Sequence, residues 1–288
     1  FTWIKRKMSG VLYIVATPIG NLDDITLRAI EVLGSVDLVA AEDTRHSQHL
    51  MAHLGLRKKM LSLHEHNEQD RVSQILALLS QGQQIALVSD AGTPLISDPG
   101  FPLVRAVIEA GYRVTPIPGV SSIIAALSAA GLATDQFSYH GFLAHKNADR
   151  LSCLQALKKT AGTHVLLEST HRIERLLQQI EELMPSSQLV LAKELTKRHE
   201  TFIRGTAQQC LQVFTDDPLL KKGEFVVLLY HPAPEEEESV RVNAHKILQL
   251  LMAEMPLKKA VKLAVEITGG KKNDLYRQAL LLNQSEKL

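Results

Sequence analysis

The chain has 288 residues, 45% hydrophobic and 22% charged, which is the composition of a folded protein of one large or two ordinary domains and excludes a disordered one. Lys and Arg number 32 against 31 Asp and Glu, so the formal +1 argues for neither nucleic acid nor membrane, and any electrostatic partner must be sought in local patches. Cys153 and Cys210 offer no CxxC and no disulfide framework, and no apolar run nears the roughly 20 residues of a membrane helix, so a cytosolic, soluble protein is expected.

The basic opening Phe1–Lys7 leads into no long apolar segment, which speaks against a signal peptide and leaves Met8 as a candidate start. Leu12–Ala16 reads as a strand, Thr17-Pro18-Ile19-Gly20-Asn21 as a turn, and Asp24–Leu33 as a helix ended by Gly34. Val36–Ala41, Met60–Leu63, Ile85–Ser89 and Arg113–Ile117 read as further strands, with helices over Thr44–Leu54, Glu68–Ser80 and Pro99–Ala110 between them. That alternation predicts an α/β domain on a mostly parallel sheet over residues 8–118. Pro116–Gly119 punctuates the chain before a small-residue helix, Ser121–Ala130. Phe137–Gly141, Thr163–Leu167, Gln188–Ala192, Glu200–Arg204 and Glu224–Tyr230 are candidate strands, and the short spacers among the last three call for antiparallel pairing. A second α/β domain of mixed sheet is therefore expected over 119–232.

His231-Pro232-Ala233-Pro234 followed by Glu235–Glu238 reads as a linker. Over 239–288 a helical tail is expected: Leu257, Ala260, Val261, Ala264 and Val265 form one apolar stripe, Gly269-Gly270 ends it, and Asn273–Leu282 offers another helix. From Arg241 onward nine basic residues face four acidic ones, a net +5. Lys258 and Lys262 share a helix face, with Lys259 adjacent and Lys271, Lys272 and Arg277 beyond. Such residues suit salt-sensitive phosphate contacts; an ordinary solvated face is the competing reading.

No two glycines are separated by one residue, which removes GxGxxG and with it the dinucleotide fingerprint and the glycine-rich loop of the common methyltransferase fold. GxxxxGK[ST] and GxSxG are absent, and His64-Glu65-His66 is too closely spaced for HExxH zinc ligation and reads as a polar loop end. No metal site is expected. What stands out is Leu87–Gly100, a loop with two glycines and two prolines that leaves a buried-looking strand and enters a helix, presenting backbone groups to a ligand. Asp98 reads more readily as that helix's N-cap than as a ligand contact. Pro118-Gly119-Val120-Ser121-Ser122 repeats the shape, with either serine able to cap, and Thr17–Asn21 is a third instance. Three such turns leaving strands are expected to meet at one cleft.

Val15–Leu22, Ala41-Glu42-Asp43-Thr44-Arg45, Ser89–Gly100, Glu168-Ser169-Thr170-His171-Arg172 and Glu194-Leu195-Thr196-Lys197, in that order, resemble the ribosomal RNA small subunit methyltransferase I family, within the tetrapyrrole-methylase-like superfamily of S-adenosylmethionine (SAM) enzymes. The resemblance runs from about Gly10 to Leu282. It implies two α/β domains with SAM in the cleft between them, a homodimer in the cytoplasm, and 2′-O-methylation of a cytidine ribose in the decoding centre of 16S rRNA. By motif position it implies SAM contacts at Gly92, Thr93, Ile96, Ser121, Ser122, Ala192 and Gly223. The Thr17–Asn21 turn replaces the glycine-rich first loop of the tetrapyrrole enzymes, which there lies nearer the acceptor, so Asn21 is expected on the acceptor side.

Methyl transfer is an in-line displacement, and a ribose 2′-OH is a poor nucleophile that benefits from a base or a nearby cation. Candidates are Glu168, Lys193, Glu194 and Lys197, with His171 and Arg172 beside them toward RNA. Glu168 reads equally as a cap for a helix from Thr170, and the lysines as solvated or phosphate-bound groups. Asp43 and Arg45 suit either a local ion pair or an acceptor-side role. Two other functions stay open: a SAM methylase of a tetrapyrrole or a protein side chain, which leaves the basic tail without a task, and a non-catalytic RNA-binding module without SAM affinity.

Overall fold

The computed structural model describes residues 10–64, 67–232, 246–269 and 272–285. The opening segment, Glu65 and His66, most of the expected Pro/Glu linker and Lys271 lie outside those residues. Strands are β1 (Val11–Val15), β2 (Leu38–Ala41), β3 (Lys59–Ser62), β4 (Gln84–Val88), β5 (Arg113–Ile117), β6 (Phe137–Phe142), β7 (Gly162–Ser169), β8 (Gln188–Lys193), β9 (Thr201–Gly205) and β10 (Glu224–His231).

The first five strands form one parallel sheet in the order β3-β2-β4-β1-β5. Its strands alternate apolar side chains to both faces, as a sheet covered on both sides requires. On one face Val15, Val39, Ala41 and Val88 pack against Ala29 and Leu33 of α1 (Leu27–Ser35) and Leu50 and Met51 of α2 (Thr44–His53). On the other, Leu12, Ala40, Ile85 and Leu87 meet α3 (Glu68–Ser80) and α4 (Phe101–Glu109). The neighbours β1 and β4 thus send their following helices to opposite faces, and a crevice opens at their carboxyl ends.

The second sheet, β6-β7-β10-β8-β9, is mixed as expected: β6 and β7 are parallel, while β10 with β8 and β8 with β9 are antiparallel. One face carries α7 (Ile173–Leu183) and α8 (Ala207–Asp216); the other takes Ile123, Ala126 and Leu127 of α5 (Ser122–Ala130). The helix α6 is Asn147–Leu157. The buried Cys210 thiol is pushed up to about 11 by burial, and Cys153 is exposed; both are free.

The chain to Lys158 together with Thr163–Tyr230 forms one compact unit, which carries the two sheets, and Lys159–Gly162 with the chain from His231 onward forms a second. That unit holds a helix over 246–254 that the sequence reading did not predict, then α10 (Leu257–Thr268) and α11 (Lys272–Ser285); we label the first of these α9. Leu248, Val261, Ala264, Leu275 and Ala279 make its core, and Gly269 ends α10 in the left-handed region as predicted. Lys258, Lys259, Lys262, Lys272 and Arg277 are exposed. Among the described residues no helix is long and apolar enough to cross a membrane.

Several boundaries differ from expectation. The helix predicted from Asp24 begins at Leu27, because Thr26 accepts the Ala29 N–H as its cap, and Leu22–Asp24 forms a separate 3₁₀ turn capped by Asn21. Gly34 lies within α1 instead of ending it. Asp98 is not the cap of α4: Gly100 holds that position at φ 123°, with no side-chain cap. Ser121 occupies the cap position of α5 without capping, and Arg172 that of α7, so neither the serines nor Glu168 has the structural task expected of it. β10 runs through His231 into what was expected to be linker.

Candidate active site

The three strand-leaving turns meet, as the sequence predicted. Thr17 and Gly92 exchange backbone hydrogen bonds of 2.9 and 3.0 Å, and Thr17 Oγ1 donates to Ser89 O at 3.2 Å. Thr93 Oγ1 donates to Val120 O at 3.0 Å, tying the Leu87–Gly100 loop to the third turn. Gly92 stands at φ 81°, where a side chain is strained, and a Cβ there would lie 3.3 Å from Ile19 Cγ2. The Gly92 backbone and the Thr93 hydroxyl thus hold the three turns together.

The second sheet closes the site with strand ends of its own. A cavity of about 360 Å³ is lined by Ile19 and Ala91 from the first half, Ser122 at the start of α5, Leu167, Glu168 and Ser169 ending β7, Ala192 and Leu195 at the end of β8, Glu224, Phe225 and Val226 opening β10, and Phe142. The lining is mostly apolar, with a few polar groups converging, as in small-molecule sites. Glu168 is 2% exposed. Its Oε1 accepts the Ser169 N–H at 2.8 Å and lies 3.3 Å from Arg172 Nε, while its Oε2 is shut from solvent with no hydrogen-bond partner among the described residues. An orphaned, buried carboxylate oxygen costs about 1–3 kcal/mol or more, a penalty that a ligand N–H or O–H would remove.

Of the four residues expected to serve as base, only Glu168 lines this cavity. Lys193 is 5% exposed and shares the β8 face of Leu189 and Leu191, opposite Ala192. Glu194 and Lys197 build a clasp instead. Glu194 Oε1 accepts from the Glu224 N–H at 3.0 Å and from Lys197 Nζ at 3.1 Å, and Lys197 reaches Glu224 Oε2 at 2.9 Å. Burial works against both charges, yet the Glu224 N–H and Lys197 hold Glu194 below the ordinary carboxylate value, and Glu224 and Glu194 hold Lys197 above that of lysine. Gly223 sits against this clasp at φ 124°, exchanging hydrogen bonds with the Thr170 hydroxyl.

Ser122 and Ala192 line the cavity; Ile96 does not, and is 47% exposed. That loop holds Leu95 and Ser97 at φ 74° and 67°, and the facing loop holds Glu194 and Thr196 at 51° and 63°; left-handed non-glycine residues are costly and gather at functional sites. Ser97 bonds the Tyr139 hydroxyl at 2.5 Å, joining the loop to β6. Asp98 is half-buried, which pushes its carboxyl up against the pull of Ser89. Asp43 caps α2, and the Arg45 guanidinium, 2.7 Å away, holds its carboxyl below the usual range. Arg172 donates to Leu143 O at 2.6 Å, whereas His171 and Asn21 are exposed. Sequence reasoning missed Phe142, Leu167 and Val226 as lining.

The profile of the Tetrapyrrole (Corrin/Porphyrin) Methylases matches residues 11–211, and that of the RsmI C-terminal HTH domain matches 238–283. Ribosomal RNA small subunit methyltransferase I of Escherichia coli O157:H7 is 50% identical over 273 residues, spanning 94% of this chain and 95% of that protein. Its namesake in Pasteurella multocida (strain Pm70) is 46% identical over 276 residues, 96% and 98% of the two chains. A uroporphyrin-III C-methyl transferase from Thermus thermophilus, solved in complex with S-adenyl homocysteine, superposes with a TM-score of 0.53 at 16% identity, covering 76% of this chain and 97% of that one, a likeness of fold alone. On this agreement over nearly the whole length, the chain belongs to the ribosomal RNA small subunit methyltransferase I family, built on the fold of the tetrapyrrole methylases.

Proposed function

We propose that this protein transfers a methyl group from SAM to the ribose 2′-oxygen of a cytidine in the decoding centre of 16S rRNA. The observation that carries the mechanism is Glu168, a buried carboxylate among the residues that line a largely apolar cavity, whose Oε2 has no hydrogen-bond partner among the described residues. The cavity suits the cofactor: Ile19, Phe142, Leu167 and Val226 offer apolar surface to an adenine and a thioether, and Ser122 and Glu168 offer acceptors to its N–H and O–H groups. When bound, SAM supplies a methyl on a cationic sulfur, which leaves as a neutral thioether as the 2′-oxygen takes the methyl.

Glu168 then has a single task, to take the 2′-OH proton at Oε2 while Oε1 stays on the Ser169 N–H and near Arg172. Arg172, anchored on Leu143 O, keeps that carboxylate oriented. The apolar walls exclude water and so strengthen the interaction. Lys258, Lys262 and their neighbours on the tail supply phosphate contacts, with Asn21, Asp43, Arg45 and His171 toward the RNA. Dimerisation and a cytoplasmic setting belong to the same reading.

Tritiated SAM with undermethylated small subunits, followed by mass spectrometry of the digested nucleosides, tests it. A 2′-O-methylcytidine product is expected; label in a tetrapyrrole and none in RNA would overturn it. Ending the chain after Pro234 is expected to leave SAM affinity intact and to weaken binding to rRNA by roughly tenfold or more at physiological salt, with a shallower salt slope. Equal RNA affinity with and without residues 235–288 removes the tail from the interface.

A further inference from the structure

Close to Arg172 the chain gathers two further arginines that the methyl transfer does not use. Arg150 on α6 is 2% exposed; its Nε donates to Gln179 Oε1 at 2.5 Å and its Nη2 to Asn147 Oδ1 at 3.3 Å. Arg175 on α7 is exposed, and its Nη2 donates to the same Asn147 oxygen at 3.0 Å. Two guanidinium groups thus meet on one uncharged acceptor, where a purely structural pairing would place a carboxylate. Neither has an ion pair among the described residues. Glu168 is engaged by Arg172 at 3.3 Å and Glu174 by Lys221 at 3.4 Å, while Asp149 stays exposed in the first turn of α6. Burial first, then Arg175 and Arg172, pull the Arg150 guanidinium below the ordinary arginine value against the attraction of Glu168. Like charges drawn together in this way repel, and an anion beside them removes the repulsion.

The surroundings favour an oxyanion. Asn147 opens α6 and Arg175 stands in the first turn of α7, so their contact brings the two helix starts together. Neither helix has a side-chain cap, which leaves N–H groups and a positive dipole end to a ligand. Lys146, next to Asn147, is exposed and has no ion pair among the described residues. A planar guanidinium such as that of Arg175 matches two oxygens of a phosphate at once. Arg150 and Arg172, being buried, act through their charge, while the exposed Arg175 and Lys146 are placed to make contact. Resting on the proposed RNA methylation, we infer that Arg175 and Lys146, backed by Arg150 and Arg172, clamp a backbone phosphate of the substrate RNA. Such a contact positions the RNA and reads no base. The clamp and the candidate base share one side chain, because the Arg172 beside the cluster is the one that orients Glu168.

The experiment measures binding of the full chain to undermethylated small subunits across a range of salt, with SAM affinity by calorimetry and Tm alongside. Arg175→Ala is expected to weaken subunit binding roughly tenfold at physiological salt and to lower the salt slope by about 1, as one lost phosphate contact does. Adding Lys146→Ala is expected to lower the slope by about 2 in all. Arg175→Lys keeps the charge and is expected to restore the slope, but not the whole affinity. All three are expected to keep the wild-type Kd for SAM and, since both side chains are exposed, the wild-type Tm. The reference is Arg113→Ala, an exposed arginine opening β5 at the amino end of the first sheet, which is expected to change nothing. Should Arg175→Ala lower Tm, Lys146→Ala alone decides by the same slope. A double variant that binds subunits no worse than Arg113→Ala overturns the inference; lost SAM affinity with unchanged RNA binding does so too, giving the arginines to the carboxylate of the cofactor. Binding is read without turnover, so wild-type protein that binds subunits but makes no 2′-O-methylcytidine overturns the proposed function, while the variants still judge the clamp. Wild-type protein that binds no subunit overturns both.

Discussion

Replacing Glu168 by Gln is expected to lower kcat roughly 10²- to 10⁴-fold, the span contributed by a positioned proton acceptor, while leaving the Kd for SAM within about threefold. The amide keeps an oxygen for the Ser169 N–H but has no capacity to take the 2′-OH proton at the cavity wall. Shape and burial are nearly conserved, so the fold is expected to survive. Glu168→Ala is the harsher change. It leaves the guanidinium of Arg172, whose side chain is 16% exposed, without its anionic partner, and stripping one member of a buried pair costs about 3–5 kcal/mol. A melting curve separates the two effects: Gln loses turnover at nearly unchanged Tm, whereas Ala loses both. A Gln variant with wild-type kcat would remove Glu168 from the chemistry.

The second large effect is expected at Gly92. Any L-residue at φ 81° meets a penalty of about 1–2 kcal/mol, and the added Cβ stands 3.3 Å from Ile19, which lines the cavity. Gly92→Ala is therefore expected to reduce stability by about that amount and to leave SAM binding measurable. Gly92→Trp places an indole beside Ala91 and Ile19 and is expected to abolish SAM binding in calorimetry. The two hydrogen bonds between Thr17 and Gly92 are backbone to backbone, so a folded tryptophan variant is obtainable in principle, and its melting transition reports whether it was. A folded Gly92→Trp protein with wild-type SAM affinity would move the cofactor away from this loop.

Much of the architecture was legible because it rests on periodicity. β1 to β5 and their helices read as short apolar runs giving way to a period of 3.6, and the short spacers before β9 and β10 announced the antiparallel part of the second sheet. The convergence of three turns was legible for a different reason: Thr17–Asn21, Leu87–Gly100 and Pro118–Ser122 each carry backbone-shaping residues at the carboxyl end of a strand. Their internal allocation was not. Whether the Gly92 amide faces a ligand or Thr17, and whether Lys197 is a catalyst or half of a clasp with Glu194 and Glu224, depends on partners 75 or 27 residues away. Asp98 illustrates the limit at close range. Its N-cap reading was sound on propensity, but Gly100 takes the cap position and the half-buried Asp98 carboxyl faces Ser89. Glu168 stood among four candidates on type and motif alone, and its place in the cavity lining and its unpartnered oxygen separate it from Lys193, Glu194 and Lys197.

The strand order of the first sheet constrains how the protein emerges during synthesis. β1 is the second-to-last strand across, hydrogen-bonded to β4 on one side and β5 on the other, with Val11 opposite both Gln84 and Arg113. The first strand made is thus among the last to be completed. At the usual 5–20 residues per second, the ribosome needs roughly 5–20 s to travel from Val11 to Arg113, and through that interval Val11–Val15 has at least one unpaired edge. A sticky apolar strand left waiting that long is a natural client for nascent-chain chaperones, and a pause in translation before β5 would lengthen its exposure more than a pause anywhere after it.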